Sequence, residues 1–149
     1  MIQLDHIHLA INHSPLYAET FAFFFLLIGT LRKNRTLVTS GLVIAIIAAL
    51  CGWAADWTGN GAAEILTKAN PPIPGVDVKA IDLHDLAATF LVTSASITGV
   101  VAIIALKWRR RWLEIVLIVL SLWTVSVAVR VALLGGRIHH PEVRAVVKG

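Results

Sequence analysis

The sequence predicts an all-α protein, an integral membrane four-helix bundle with both termini on the external side. Hydrophobic residues make up 57% of the 149 residues and charged residues only 15%, and the mean hydropathy is +0.78. Such a chain is too apolar for an ordinary soluble domain. The apolar residues form four runs, each near the roughly 20 residues that a helix needs to cross the hydrocarbon layer. We therefore treat residues 1–149 as a single transmembrane domain.

Four spans are predicted, at about residues 15–31, 37–57, 83–106 and 112–134. The first begins with Ser14, a good N-cap, followed by Pro15 at the first helical position. The second ends before Gly59-Asn60-Gly61, which lies in a long connection over residues 58–82. The third carries small, weakly polar residues, which favour either close packing of helices or room for a flat cofactor.

Basic residues orient the spans. They are concentrated in the two short connections, at Arg32, Lys33, Arg35, Lys107, Arg109, Arg110 and Arg111. The positive-inside rule places such connections in the cytoplasm. Both termini and the 58–82 loop are then external, which is periplasmic for a multi-pass protein of a bacterial inner membrane. Because the basic residues cluster beside the spans, we interpret the net charge of +4 as a sign of contact with the lipid bilayer rather than with nucleic acid.

All six histidines fall on the external side in this topology: His6, His8, His13, His84, His139 and His140. Because imidazole is both a metal ligand and a group that titrates near neutral pH, this segregation is the main functional indication in the chain. No nucleophile–base–orienter constellation is visible. The sequence therefore predicts no catalytic residue and a protein that is not an enzyme on its own.

A haem site is the first hypothesis for these histidines. His13 and His84 stand where spans one and three enter the membrane, so the two imidazoles could bind a b-type haem on both axial faces, with Arg130 or Arg137 pairing with its propionates. Covalent c-type haem is excluded, because Cys51 is the single cysteine. The simpler alternative is that interfacial histidines cap helices and bind water or headgroups.

A divalent metal site is another hypothesis. In Asp5-His6-Ile7-His8, alternate residues lie on one side of an extended segment, and His139 and His140 could lie nearby. Zinc or copper(II) suits such ligands, and His13 and His84 could also bind a metal.

Two glutamates lie within or beside the spans. Glu19 and Arg130 lie at matching depths in spans one and four, which predicts a structural ion pair between these helices. Glu114 follows the second basic connection and is predicted to pair with Arg110 or Arg111.

The two halves of the chain have a similar layout. Each has a helix headed by a histidine, His13 or His84, then an early Thr-Phe pair, a basic turn and a second helix. The pairs are Thr20-Phe21 and Thr89-Phe90. This pattern predicts a parallel repeat of two hairpins.

Several short motifs occur in a characteristic order. They are Asn12-His13-Ser14-Pro15, Gly52, Asp56-Trp57, His84 and the segment from Gly135 to Arg144. In these the chain resembles a bacterial family of small predicted four-helix membrane proteins of unknown function. The family's histidine–any residue–proline motif corresponds to His13, Ser14 and Pro15, and its span-three histidine to His84. Relatives are sometimes joined to cytochrome c or other redox modules, so the resemblance implies a respiratory or electron-transfer setting.

The sequence thus leaves three functional hypotheses. The first is an inner-membrane electron-transfer protein that binds haem b through His13 and His84 and exchanges electrons with a periplasmic carrier or a quinone. The second is a cofactor-free accessory subunit of a larger respiratory or photosynthetic membrane complex. The third is periplasmic metal handling through His6, His8, His139 and His140.

Overall fold

The computed structural model describes residues 4–69 and 77–139, apart from the side chains of Asp5 and His139. Every secondary-structure element in these residues is a helix: α1 (Leu4–Ile11), α2 (Ser14–Leu31), α3 (Arg35–Thr67), α4 (Val78–Trp108) and α5 (Arg111–His139). Because α1 leads directly into α2, the described chain has four helical segments long and apolar enough to cross a membrane. This confirms the predicted all-α, four-helix membrane architecture.

The four long helices form a closed ring. Helix α2 packs against α3 and α5, and α4 packs against the same two helices, so α2 and α4 are diagonal. Short turns make α2 antiparallel to α3 and α4 antiparallel to α5, and the contacts of Gly52 with Ala95 and of Gly99 with Ala49 show that α3 and α4 are antiparallel too. One end of the bundle, here called the histidine end, contains α1, the starts of α2 and α4 and the ends of α3 and α5. The other, the basic end, contains the two turns rich in Arg and Lys.

A break between α1 and α2 follows from Pro15. Proline has no N–H to donate to the carbonyl of Ile11, which would be its partner in a continuous helix. The Ser14 hydroxyl donates to that carbonyl instead, at 2.6 Å. Ser14 is therefore not the predicted N-cap, a position that His13 occupies without a side-chain capping bond. The segment before the break, predicted to be extended, is the helix α1.

Helix α3 continues beyond its predicted end at the Gly59-Asn60-Gly61 segment. The helix continues through these glycines because α1 packs closely against them. A Cβ at Gly59 would lie 3.0 Å from His8 Cε1, and a Cβ at Gly61 would meet the Leu4 side chain. Helix α4 likewise begins early, at Val78, with the Asp77 carboxylate accepting from the N–H of Lys79 at 3.1 Å. The predicted 58–82 loop is therefore mostly helical within the described residues.

The small residues of α4 pack against its neighbours. A Cβ at Gly99 would lie 2.9 Å from the Cβ of Ala49, which shows how closely α3 approaches. On the side facing α5, the hydroxyls of Thr98 and Thr124 are hydrogen-bonded at 3.2 Å. Small side chains permit this close approach of helix backbones. Close helix packing thus accounts for this part of the small, weakly polar face.

An ion pair joins three helices at the basic end. The Glu114 carboxylate on α5, whose side chain is 7% exposed, accepts from Arg35 Nη1 on α3 at 2.7 Å. It also accepts from the Thr30 hydroxyl on α2 at 3.2 Å. The predicted pairing with Arg110 or Arg111 is wrong. Arg111 donates instead to the backbone carbonyl of Thr30, at 3.5 Å.

Replacing Arg35 with methionine is expected to lower the free energy of unfolding by about 1–3 kcal/mol, because a buried carboxylate loses its charged donor. The change can be measured by titrating the protein with dodecyl sulfate from mixed micelles while following helicity. Adding Glu114→Gln to the Arg35→Met variant removes the uncompensated charge and should recover much of the loss. An unchanged transition for Arg35→Met would show that the ion pair contributes nothing.

Candidate functional site

At the histidine end, His8 of α1 is fixed against α3. Its Nδ1 atom lies 3.0 Å from the backbone carbonyl oxygen of Ala55 and 3.3 Å from the Thr58 hydroxyl. That hydroxyl donates to the carbonyl of Ala54 at 2.9 Å, so it is available to accept from the ring. The imidazole is half-buried and packs against Gly59, where a side chain would displace it.

His84 of α4 is fixed in the same way against α5. Its Nδ1 lies 3.1 Å from the carbonyl oxygen of Val131, and its Cε1 lies 3.1 Å from the place where a Cβ of Gly135 would be. In both cases the carbonyl belongs to the residue 47 positions after the histidine. In both cases a glycine follows that residue by one helical turn. We call each histidine, with its carbonyl and glycine, a histidine lock.

The two locks correct the register of the predicted repeat. If the two halves of the chain are aligned so that Thr20-Phe21 matches Thr89-Phe90, the position of His13 falls close to that of His84. The structure instead matches His8 with His84, Ala55 with Val131 and Gly59 with Gly135. The first hairpin therefore includes α1. The equal histidine-to-glycine spacing in the two halves is a sequence signal that could have identified this register.

The hydrogen bonds determine the tautomer of both rings. A backbone carbonyl can only accept, so Nδ1 of His8 and of His84 must carry the proton and donate it. In the neutral imidazole, Nε2 then has a free lone pair. Metal-ligating histidines are oriented in this way, with one ring nitrogen donating to a carbonyl and the other binding the metal. In each ring Nε2 is therefore the nitrogen that could act as a metal ligand.

The two locks lie near one another. His84 interacts electrostatically with His8 and with Asp85. The carboxylates of Asp85 and Asp56 are also within range of each other. The histidine end therefore gathers two imidazoles and two carboxylates from α1, α3 and α4.

His13, the predicted partner of His84, lies elsewhere on this end. It is exposed at the break between α1 and α2, and its ring contacts that of Tyr17 edge-on, with the centroids 6.4 Å apart. His13 interacts electrostatically with His8. His8 therefore lies within electrostatic range of both His13 and His84, whereas its hydrogen-bonding environment matches that of His84.

The predicted metal cluster is not assembled by the described residues. His6 and His8 lie on the helix α1, where residues two apart point in nearly opposite directions. Within residues 4–69 and 77–139, no group of three or more histidine, cysteine, aspartate or glutamate side chains could hold a metal ion. The His139 side chain and all of His140 lie outside the described residues, so this part of the hypothesis stays a prediction.

The predicted ion pair between Glu19 and Arg130 does not form. Glu19 is 0% exposed, and neither of its carboxylate oxygens has a hydrogen-bond partner among the described residues. Arg130 is exposed on the outer face of α5. Glu19 lies level with Ser121 on α5, nine residues before Arg130, so the two residues differ in depth, and Arg130 points away from the bundle. Arg137, two residues beyond Gly135, is half-buried in the last turns of α5.

These features define a class of protein: a multi-pass helical membrane protein built from two similar hairpins, each with one histidine lock at the same end. Comparison of the chain with protein-family models, with curated proteins and with solved structures finds no match. The resemblance to the small four-helix family therefore stays a prediction.

Proposed function

We propose that the protein is an inner-membrane electron-transfer protein that holds one b-type haem between His8 and His84. The observation that carries this proposal is the pair of histidine locks. Each imidazole donates from Nδ1 to a backbone carbonyl and keeps Nε2 free, and the two rings lie at one end of the bundle, within electrostatic range. A bis-histidine haem iron needs two imidazoles with unprotonated Nε2 atoms, and the two histidine locks would supply them.

The number of ligands favours haem over a protein-ligated ion. Zinc sites use three or four protein ligands, and the described residues contain no group of three candidate ligands. A porphyrin supplies four nitrogen ligands itself, so that its iron needs only two from the protein. Arg137, which lies close to the His84 lock in sequence, would be placed to pair with a propionate, and Arg130 lies about two turns earlier on α5.

Orientation determines which partners the site would meet. The positive-inside rule assigns the basic end to the cytoplasm and the histidine end to the periplasm. A haem held there would supply one-electron chemistry and would face a periplasmic carrier or a quinone. The role of the chain is to hold both rings in a fixed direction through Ala55 and Val131, so that little rearrangement accompanies electron transfer.

The test is an absorption spectrum of the detergent-solubilised protein purified from its native membrane, first oxidised and then reduced with dithionite. We expect a Soret band and sharp α and β bands on reduction. Folded, helical protein without these bands would overturn the haem proposal. Its co-purification with a large membrane assembly would then favour the accessory-subunit hypothesis.

A further inference from the structure

Glu19 is an ionisable group in the interior of the bundle. It lies on the face of α2 that packs against α3 and α5, and it is 0% exposed. Among the described residues, neither of its carboxylate oxygens has a hydrogen-bond partner, and neither does the hydroxyl of Ser121 on α5. The Glu19 and Ser121 side chains are close enough to interact, but they do not form a hydrogen bond of good geometry. Two buried polar groups therefore lie beside each other, and the described residues leave both unsatisfied.

Within residues 4–69 and 77–139, no charged side chain compensates Glu19. Burial and the Ser121 hydroxyl are the influences that these residues exert on its carboxyl group. Charged residues on the helices packed against α2 lie toward the two ends of the bundle: Arg35, Asp56 and Glu64 on α3, and Arg111, Glu114, Arg130 and Arg137 on α5. The buried neighbours on its own helix, Pro15 and Ala22, are apolar.

An internal comparison makes the difference clear. Glu114 is almost as buried as Glu19, at 5% exposed, but it accepts from Arg35 and from Thr30 and is stable as a carboxylate. An ionised carboxylate without such donors costs several kcal/mol inside a protein, and more at membrane depth. A proton on the Glu19 carboxyl group would remove this cost.

We propose that Glu19 is a proton-binding site inside the membrane, whose carboxyl group holds an exchangeable proton and is directed toward the Ser121 hydroxyl. Uptake forms one O–H bond on the carboxylate with a proton from a hydronium ion, leaving a water molecule, and no electron moves. This inference does not depend on the haem proposal, because it involves neither His8 nor His84.

Infrared spectroscopy of the full-length protein in detergent tests the proposal. A carboxylic acid has a C=O stretching band that a carboxylate lacks, and the band shifts when the acid proton is replaced by deuterium. At neutral pH we expect such a band in the wild type, its shift in D2O, and its loss in Glu19→Gln. The matched variant Glu114→Gln should keep the band. An absent band would show that Glu19 is ionised and would overturn the proposal.

The D2O measurement separates an exchanging site from a purely structural acid. A Glu19 band that persists unshifted in D2O for days would mean that the proton is locked in, and this result would also overturn the proposal. If Glu19→Gln does not fold, Glu19→Asp serves instead, because moving the carboxyl group by one methylene changes the frequency of its own band. Labelling with dicyclohexylcarbodiimide, an apolar reagent that adds to protonated carboxyl groups, should modify Glu19 and spare Glu114.

Discussion

Replacing His8 with alanine is expected to abolish the Soret band and the reduced α and β bands of the protein. In the proposed site His8 supplies one of the two imidazoles, and the Ala55 carbonyl fixes its ring through Nδ1 at 3.0 Å. Alanine has no imidazole to offer the iron. The variant also loses a hydrogen bond worth about 1 kcal/mol. Such a loss is too small to unfold the bundle, and circular dichroism can check that helicity is retained.

His13→Ala is the matched control for this experiment. His13 is exposed and lies only one helical break away from His8. Its replacement should leave the haem absorption bands unchanged, whereas His84→Ala should abolish them. The reverse pattern, with the bands lost in His13→Ala and kept in His8→Ala, would contradict the assignment. It would instead support the pair His13 and His84 predicted from the sequence.

Replacing Gly29 with alanine is expected to lower the free energy of unfolding by about 1–3 kcal/mol, through overpacking of the α2–α3 hairpin. A Cβ at this position would lie 2.7 Å from the backbone nitrogen of Val38 and 3.0 Å from the Cβ of Leu37. The backbone of Val38 cannot move aside cheaply, because the Gly29 carbonyl also closes the turn by accepting from the N–H of Asn34 at 2.8 Å. The added methyl group must therefore push the two helices apart.

Gly52→Ala provides the comparison for this substitution. A Cβ there would have its nearest neighbour 3.9 Å away, at Ala95, which is ordinary van der Waals contact. We expect this variant to be at least as stable as the wild type, because alanine favours the helix over glycine. Both variants can be followed by helicity during titration with dodecyl sulfate. Equal stability of the Gly29→Ala and Gly52→Ala variants would show that the hairpin accommodates the methyl group.

Much of the fold could be predicted because a membrane leaves few choices. An apolar segment in lipid must satisfy its own backbone hydrogen bonds, so long apolar runs between basic turns become helices. The predicted helix boundaries were wrong where a tertiary contact overrides a local sequence signal. Taken alone, Gly59 indicates the end of a helix, but in the fold the His8 side chain packs against it. Only the position of α1 reveals that role.

The candidate site was predictable in part, for related reasons. His84 could be identified as a candidate ligand from its place at the start of a span. The sequence pattern instead places His8 in an extended segment and in a different metal site. The predicted partner of Glu19 failed because hydropathy gives only the approximate depth of a residue and not the direction in which its side chain points. Arg130 lies nine residues beyond Ser121, the residue of α5 that interacts with Glu19, and it faces outward. Direction around a helix is determined by packing, which one sequence specifies only weakly.

The two locks also bear on the order of biosynthesis. Each lock closes within one hairpin, so the first can form as soon as α3 follows α1 into the membrane, before α4 and α5 have been translated. The second imidazole acquires its orientation only when Val131, near the end of the chain, reaches α4. A ligand that needs both rings can therefore be loaded only after α5 has been inserted. A chain that stops before α5 would be unable to retain the proposed haem.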